Sequence, residues 1–230
     1  MQKNQNTIQT FDAPASITAV LDIPIGHIRF IAADRADATV QVLPANPDKS
    51  RDVKAAEQVK VAYDNGVLRI ESPAERNRML GHPGSLEVTV QLPAGSRVDA
   101  KAAVVELSGV GRLGDVTFEG ATGTVKLDET AGARLTLATG DITVGRLNGP
   151  AEISTQKGDL SVTEAVHGAV TLTTQHGQIS VGAAQGVSAT LNASTAYGRI
   201  DNALKNSDGA GAGLNIHATT SYGDITARSL

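Results

Sequence analysis

The chain has 230 residues, no cysteine, 20 Lys and Arg against 24 Asp and Glu, and a net charge of −4. The lack of cysteine excludes a disulfide framework, a thiolate zinc site and a cysteine nucleophile. The scattered positive charge offers no electrostatic footprint for nucleic acid or an anionic membrane.

The N-terminal third reads as β-structure. The opening residues lead into Thr7-Ile8-Gln9-Thr10-Phe11 with no apolar h-region, and no run of the chain has the length of a membrane span. The expected location is therefore cytoplasmic, with a surface location open to a chain whose signal has been removed. Strands are predicted at Ile8 to Phe11, Ile17 to Ile23, His27 to Ala32 and Thr39 to Leu43. The stretch Asp48 to Glu57 is polar and of mixed charge, readable as a short helix or as the outer part of a hairpin. Val59 to Val61 and Val67 to Ile70 flank Asp64-Asn65-Gly66, a strong hairpin signal. Pro73 to Gly84 reads as a surface loop, and Leu86 to Leu92 alternates again until Pro93-Ala94-Gly95. A soft boundary near residue 95 separates an N-terminal β-hairpin or meander cap (1–95) from a repeat region (96–230).

In that region a phrase recurs: Gly123-Thr-Val-Lys-Leu, Gly140-Asp-Ile-Thr-Val, Gly158-Asp-Leu-Ser-Val, Gly177-Gln-Ile-Ser-Val, Gly198-Arg-Ile-Asp-Asn and Gly223-Asp-Ile-Thr-Ala. The glycines lie 17, 18, 19, 21 and 25 residues apart, a period that marks a repeat architecture. Two residues after each glycine stand Val125, Ile142, Leu160, Ile179, Ile200 and Ile225. Two further on stand Leu127, Val144, Val162 and Val181, then Asn202 and Ala227. Such alternation makes a strand with one dry face. A second strand precedes each glycine, with Leu135, Ile153, Leu172, Ala193 and Ala218 five residues before it and Leu137, Thr155, Thr174, Thr195 and Thr220 three before it. The four threonines either face inward and bond backbone at the bend or flank the bend. Two short strands bury little alone, so successive repeats are expected to stack like over like at about 4.8 Å. The fold class expected is all-β, a parallel β-solenoid, with glycine at the corners because φ is positive there.

Other motifs carry candidate chemistry. Gly109-Val-Gly111-Arg-Leu-Gly114 matches a dinucleotide fingerprint, but Asp115 to Phe118 alternates as a strand where the fingerprint needs a helix N-terminus. Asp141 and Asp159 share a column and come within about 5 Å of one another if the repeats stack, a separation that retaining glycosidases use; aspartate after glycine is equally ordinary turn chemistry. Just before the glycines stand Thr139, Lys157, His176, Tyr197 and Tyr222. His176, Tyr197 and Tyr222 are the candidate ligand-binding residues: their rings either form a platform for sugar or stack on each other and cover the turn. The five histidines lack metal-ligand spacing, so no metal or other cofactor is expected.

The strand pair around Leu21-Asp-Ile-Pro-Ile-Gly-His-Ile28, the sequence Leu92-Pro-Ala-Gly-Ser-Arg-Val98 and the repeated Thr-x-x-Gly-Asp-Ile-x-Val together resemble the bacterial putative-adhesin family of β-strand-repeat proteins, a domain of unknown function. The resemblance covers nearly the whole chain and implies a right-handed, β-helix-like domain with no assigned catalytic site. The favoured function is a non-enzymatic scaffold or interaction protein, with a protein partner or self-association in view. The alternatives are an exported adhesin-like protein binding glycan or protein through its turn edges, and a polysaccharide-active enzyme using Asp141 and Asp159.

Overall fold

The computed structural model describes residues 8–73 and 84–230, so most of the loop expected at Pro73 to Gly84 lies outside the described residues. The protein is mostly β. Strands β1 (Gln9–Asp12), β2 (Thr18–Asp22), β3 (Ile25–Ala33) and β4 (Asp37–Pro44) open the chain. The ambiguous stretch after them is a helix, α1 (Ser50–Gln58). Its buried Asp52 accepts the Ser85 N–H at 3.0 Å, which ties the helix to the approach of β7 (Leu86–Pro93). The expected hairpin follows α1 as β5 (Lys60–Asp64) and β6 (Val67–Glu71), paired antiparallel. Asn65 and Gly66 both have positive φ, at 49° and 75°, as a tight primed turn demands.

The long element β8 (Arg97–Thr139) is a continuous zigzag that makes several passes. After it come β9 (Ile142–Leu147), β10 (Ala151–Lys157), β11 (Leu160–Ala165), β12 (Gly168–His176) and β13 (Ile179–Ala183). Pairing is parallel and in register with the repeat. Val125 of β8 lies beside Ile142, Ile142 beside Leu160 and Leu160 beside Ile179, so the strands that follow the glycines form one ladder. Leu135, Ile153 and Leu172 likewise lie side by side in the other ladder. The apolar files of both ladders belong to a single buried core, and the passes of β8 at 97–101 and 104–111 join it to β2 and β3. Parallel pairing therefore runs straight through residue 95. The segment Ile25-Gly26-His27-Ile28-Arg29-Phe30 of β3 belongs to it, with Ile28 and Phe30 fully buried.

Stack order and chain order differ at both ends. Strands β14 (Ala189–Tyr197) and β15 (Ile200–Ala203) come next in the chain, and β16 (Leu214–Tyr222) and β17 (Ile225–Ser229) come last. Yet β16 pairs with both β12 and β14, and β17 with both β13 and β15. The last repeat is inserted between its two predecessors. At the other end β2 sits between β6 and β8, and β3 between β7 and β8. The expectation that successive repeats stack in turn thus holds for the middle of the chain only. Covalent neighbours need only connections of sufficient reach, and residues 204–213 supply the extra length for a backward step.

Spatial order explains two residues that broke the repeat. Read along the stack, the column four after glycine runs Val144, Val162, Val181, Ala227, Asn202, and the column five before it runs Leu135, Ile153, Leu172, Ala218, Ala193. The interior tapers to small and then polar side chains where it meets water. The opposite end is closed by α1 against β4 and β7 and by a Phe11–Tyr63 ring contact at 5.5 Å between β1 and β5.

The corner glycines are required by close stacking. Gly158 has φ of 148°, and a Cβ there would be driven into the Gly140 carbonyl. Gly198 lies outside the positive-φ set, so the expected positive φ is absent there; a Cβ would nonetheless strike the Gly223 carbonyl. Replacing Gly158 with Val should destabilise the protein by about 3 kcal/mol or prevent folding, whereas Ser161→Val on the wet face should change stability by less than about 1 kcal/mol. Urea unfolding of the two variants checks this, and equal midpoints would remove the steric requirement.

Candidate functional site

The corner between the two ladders carries the candidate threonines, aspartates and rings. The inward threonines come first. Thr174, Thr220 and Thr195 each donate their hydroxyl at 3.1 Å to the carbonyl of a corner glycine in the adjacent repeat, Gly158, Gly177 and Gly223 respectively. The choice left open by the sequence is settled: Thr174 and Thr220 are buried, and their hydroxyls satisfy carbonyls that the bend takes out of the ladder.

Aspartates after the glycines form a second file. Asp141 accepts the backbone N–H of Asp159, Asp159 that of Gln178, and Asp224 that of Arg199, all at 2.8 Å. Each carboxylate therefore holds the next repeat in register. Asp141 and Asp159 do stand in adjacent repeats, but one oxygen of each is committed to backbone. Asp224 also meets the Arg199 guanidinium at 3.1 Å. The Arg199 backbone N–H, followed by its side chain, holds the Asp224 carboxyl below its ordinary value.

The third file carries the rings. Lys157 lies beside His176, His176 beside Tyr222 and Tyr222 beside Tyr197. The His176 and Tyr222 rings stack at 4.9 Å with 7° between planes, and Tyr222 and Tyr197 at 4.9 Å with 4°. All three candidate residues are thus brought together, in an order that the exchanged repeats impose: Tyr222, last in the chain, is the middle ring. Its two faces are covered by neighbours, while the outer face of Tyr197 is open and that residue is 67% exposed. The ladder therefore offers one free ring face and a row of polar ring tips. Ile200 lies just around the corner and is 46% exposed.

Elsewhere the candidates do not converge. Gly109 to Gly114 lies inside β8 with strand on both sides, so the fingerprint has no helix. His27 approaches Glu106 at 3.6 Å on the surface, at the rim of a shallow hollow of about 300 Å³ lined by Ile25, Val104, Gly123 and Thr124. Among the described residues no three His, Asp or Glu side chains gather as metal ligands, and no helix is long and apolar enough to cross a membrane. The sequence pattern did not reveal Asp52 as the anchor of α1, because a single acid in a polar helix carries no periodic signal.

A direct test of the acid file follows from the lowered Asp224. A carboxylate whose pKa is depressed on folding contributes stability above its unfolded value and loses it as pH falls through the folded one. The Arg199 amide NMR signal should accordingly titrate with a midpoint below about 3.9, with loosening of β15 in the same acid range and no such transition in Asp224→Asn. A midpoint at or above the ordinary carboxylate value would contradict the tie between these repeats.

No functionally curated protein matches the chain in sequence. Among solved structures, a putative lipid binding protein from Parabacteroides distasonis has 10% identity over 97% of each chain, with a TM-score of 0.49. A putative adhesin from Bacteroides fragilis has 12% identity over 98% of each chain and a TM-score of 0.47. A putative cell adhesion protein from Clostridium sporogenes has 13% identity over 98% of this chain and all of the other, with a TM-score of 0.39. The family profile described as Toastrack DUF4097 matches residues 84–228, from the approach of β7 to the end of the inserted last repeat, and the chain belongs to that family.

Proposed function

We propose that the protein is a non-catalytic scaffold, wound as a right-handed parallel β-solenoid with its N-terminal strands as cap, that binds through the ring-bearing corner near its open end. The observation that carries this reading is the gathering of Tyr222, Tyr197 and Ile200 at one corner. Exposed apolar side chains gathered in one place mark contact surfaces more often than those scattered singly. The aspartates of the same corner hold backbone N–H groups, which supports a structural role for them over acid-base work.

The ligand chemistry that fits is a glycan. A sugar ring stacks on the free face of Tyr197, and its hydroxyls meet the ring tips along the ladder, where the side chains of Tyr197, Tyr222 and His176 have no hydrogen-bond partner among the described residues. Glycan arrays probed with the wild-type protein and with the Tyr197→Ala, Tyr222→Ala variant test this reading. Binding should fall roughly tenfold or more in the variant; an unaltered signal, or none from the wild type, removes the glycan.

A second measurement addresses catalysis. Incubation with acidic polysaccharides should give no hydrolytic or eliminative cleavage. Turnover that disappears in Asp159→Ala would replace the scaffold with an enzyme.

A further inference from the structure

The two ends of the stack are built differently. At the N-terminal end the Phe11–Tyr63 contact bridges the ladders, α1 packs alongside, and β5 carries Lys60 and Asp64. At the other end, among the described residues, β14 and β15 have a paired neighbour on one side only. From Ala189 to Tyr197 there is no charged residue and no proline, so β14 lacks the devices that keep an edge strand from pairing. The inward Leu191 and Ala193 are only partly buried there.

We propose that this open end pairs with the same end of a second copy of the chain, antiparallel and edge to edge, about a two-fold axis through Ile200 of β15. Backbone parity sets the register. Ile225 N–H donates to the Arg199 carbonyl at 2.8 Å, and Arg199 N–H donates to Asp224, so the polar groups of residue 199 face β17. Strand alternation and the register of β15 on β17 send those of Asp201 the same way and leave the N–H and C=O of Ile200 and Asn202 facing the open end. With Ile200 on the axis, the two copies of that residue exchange both hydrogen bonds.

The same register places Arg199 of one copy opposite Asp201 of the other, twice over. Both side chains are exposed, and opposite charges directly across an antiparallel pair stabilise it whereas like charges do the reverse. The edge is self-complementary in charge, which favours a second copy over an unrelated strand. Because the far end is capped, like must meet like, and the product is a closed dimer and not a filament. The pairing uses the strand edge, but it brings the second copy toward the outer face of Tyr197, so dimer and glycan compete for that face; failure of the pairing leaves the glycan reading standing.

Sedimentation equilibrium of the full chain over a concentration series tests the proposal. The wild type should show a monomer–dimer equilibrium. Asp201→Lys and Arg199→Glu should each weaken it roughly tenfold or more, and an equimolar mixture of the two should restore it, since each like-charge clash becomes an attraction in the mixed dimer. Arg199→Glu also loses its contact with Asp224, so Asp201→Lys carries the test if that variant misfolds. Asn202→Pro removes an outward N–H together with the exposed side-chain oxygen that accepts the Leu204 N–H at 3.1 Å, and should abolish pairing while Asn202→Ala, which loses the side-chain contact alone, leaves pairing intact. A wild type that remains monomeric throughout overturns the proposal and leaves the edge to a different strand. A dimer that none of these variants weakens overturns it equally, by assigning the contact to another surface.

Discussion

The whole molecule depends on how closely one corner can lie against the next. Where the chain bends between ladders, the carbonyl of each corner glycine occupies the space that a Cβ would take in the adjacent repeat. That close approach keeps neighbouring strands at pairing distance on both sides of the bend, so the two ladders stay in register with one another. The inward threonines and the post-glycine aspartates then complete the corner by satisfying the carbonyls and N–H groups left out of the ladders. A buried backbone group without such a partner would cost on the order of 1–3 kcal/mol.

Given that corner, the interior follows by repetition. Each repeat contributes the same inward positions to a shared core, so stability accumulates between neighbours. The ends are where repetition fails, and the chain treats them by exchange: the first repeat moves inward at one end and the last moves inward at the other. Each moved repeat has neighbours on both sides. The C-terminal strands are thereby held between two partners and do not fray at an edge, and Leu230 N–H still reaches the Ala183 carbonyl at 3.0 Å. The repeat left outermost is the one with Ala193 and Asn202 in its core columns, the residues best suited to a half-wet position.

The same exchange assembles the surface features of the corner. His176 and Tyr222 are 46 residues apart in the chain yet adjacent in the stack, and Tyr197 falls outermost because its repeat does. Aromatic side chains stacked in this way shield one another, leaving edges and a single face for contact. The acids beside them are part of the framework, each carboxylate holding a backbone N–H of the adjacent repeat.

Much of this was legible in the letters. Alternation around Gly123, Gly140, Gly158, Gly177 and Gly223 identified the strands, their inward faces and their registers, because side-chain direction along a strand has a fixed period of two. Asn65-Gly66 marked its turn for an equally local reason. The helix at Ser50 to Gln58 was ambiguous, since a polar stretch held by one buried acid has no period to read. The order of the end repeats lay beyond local pattern altogether: any repeat whose inward files match can stack on any other, and only the reach of the connections and the burial of each file choose among the arrangements. Sequence by itself determined what each repeat is; the tertiary structure alone decided which repeats touch, and hence that Tyr222 stands between His176 and Tyr197 and that β14 and β15 face the open end.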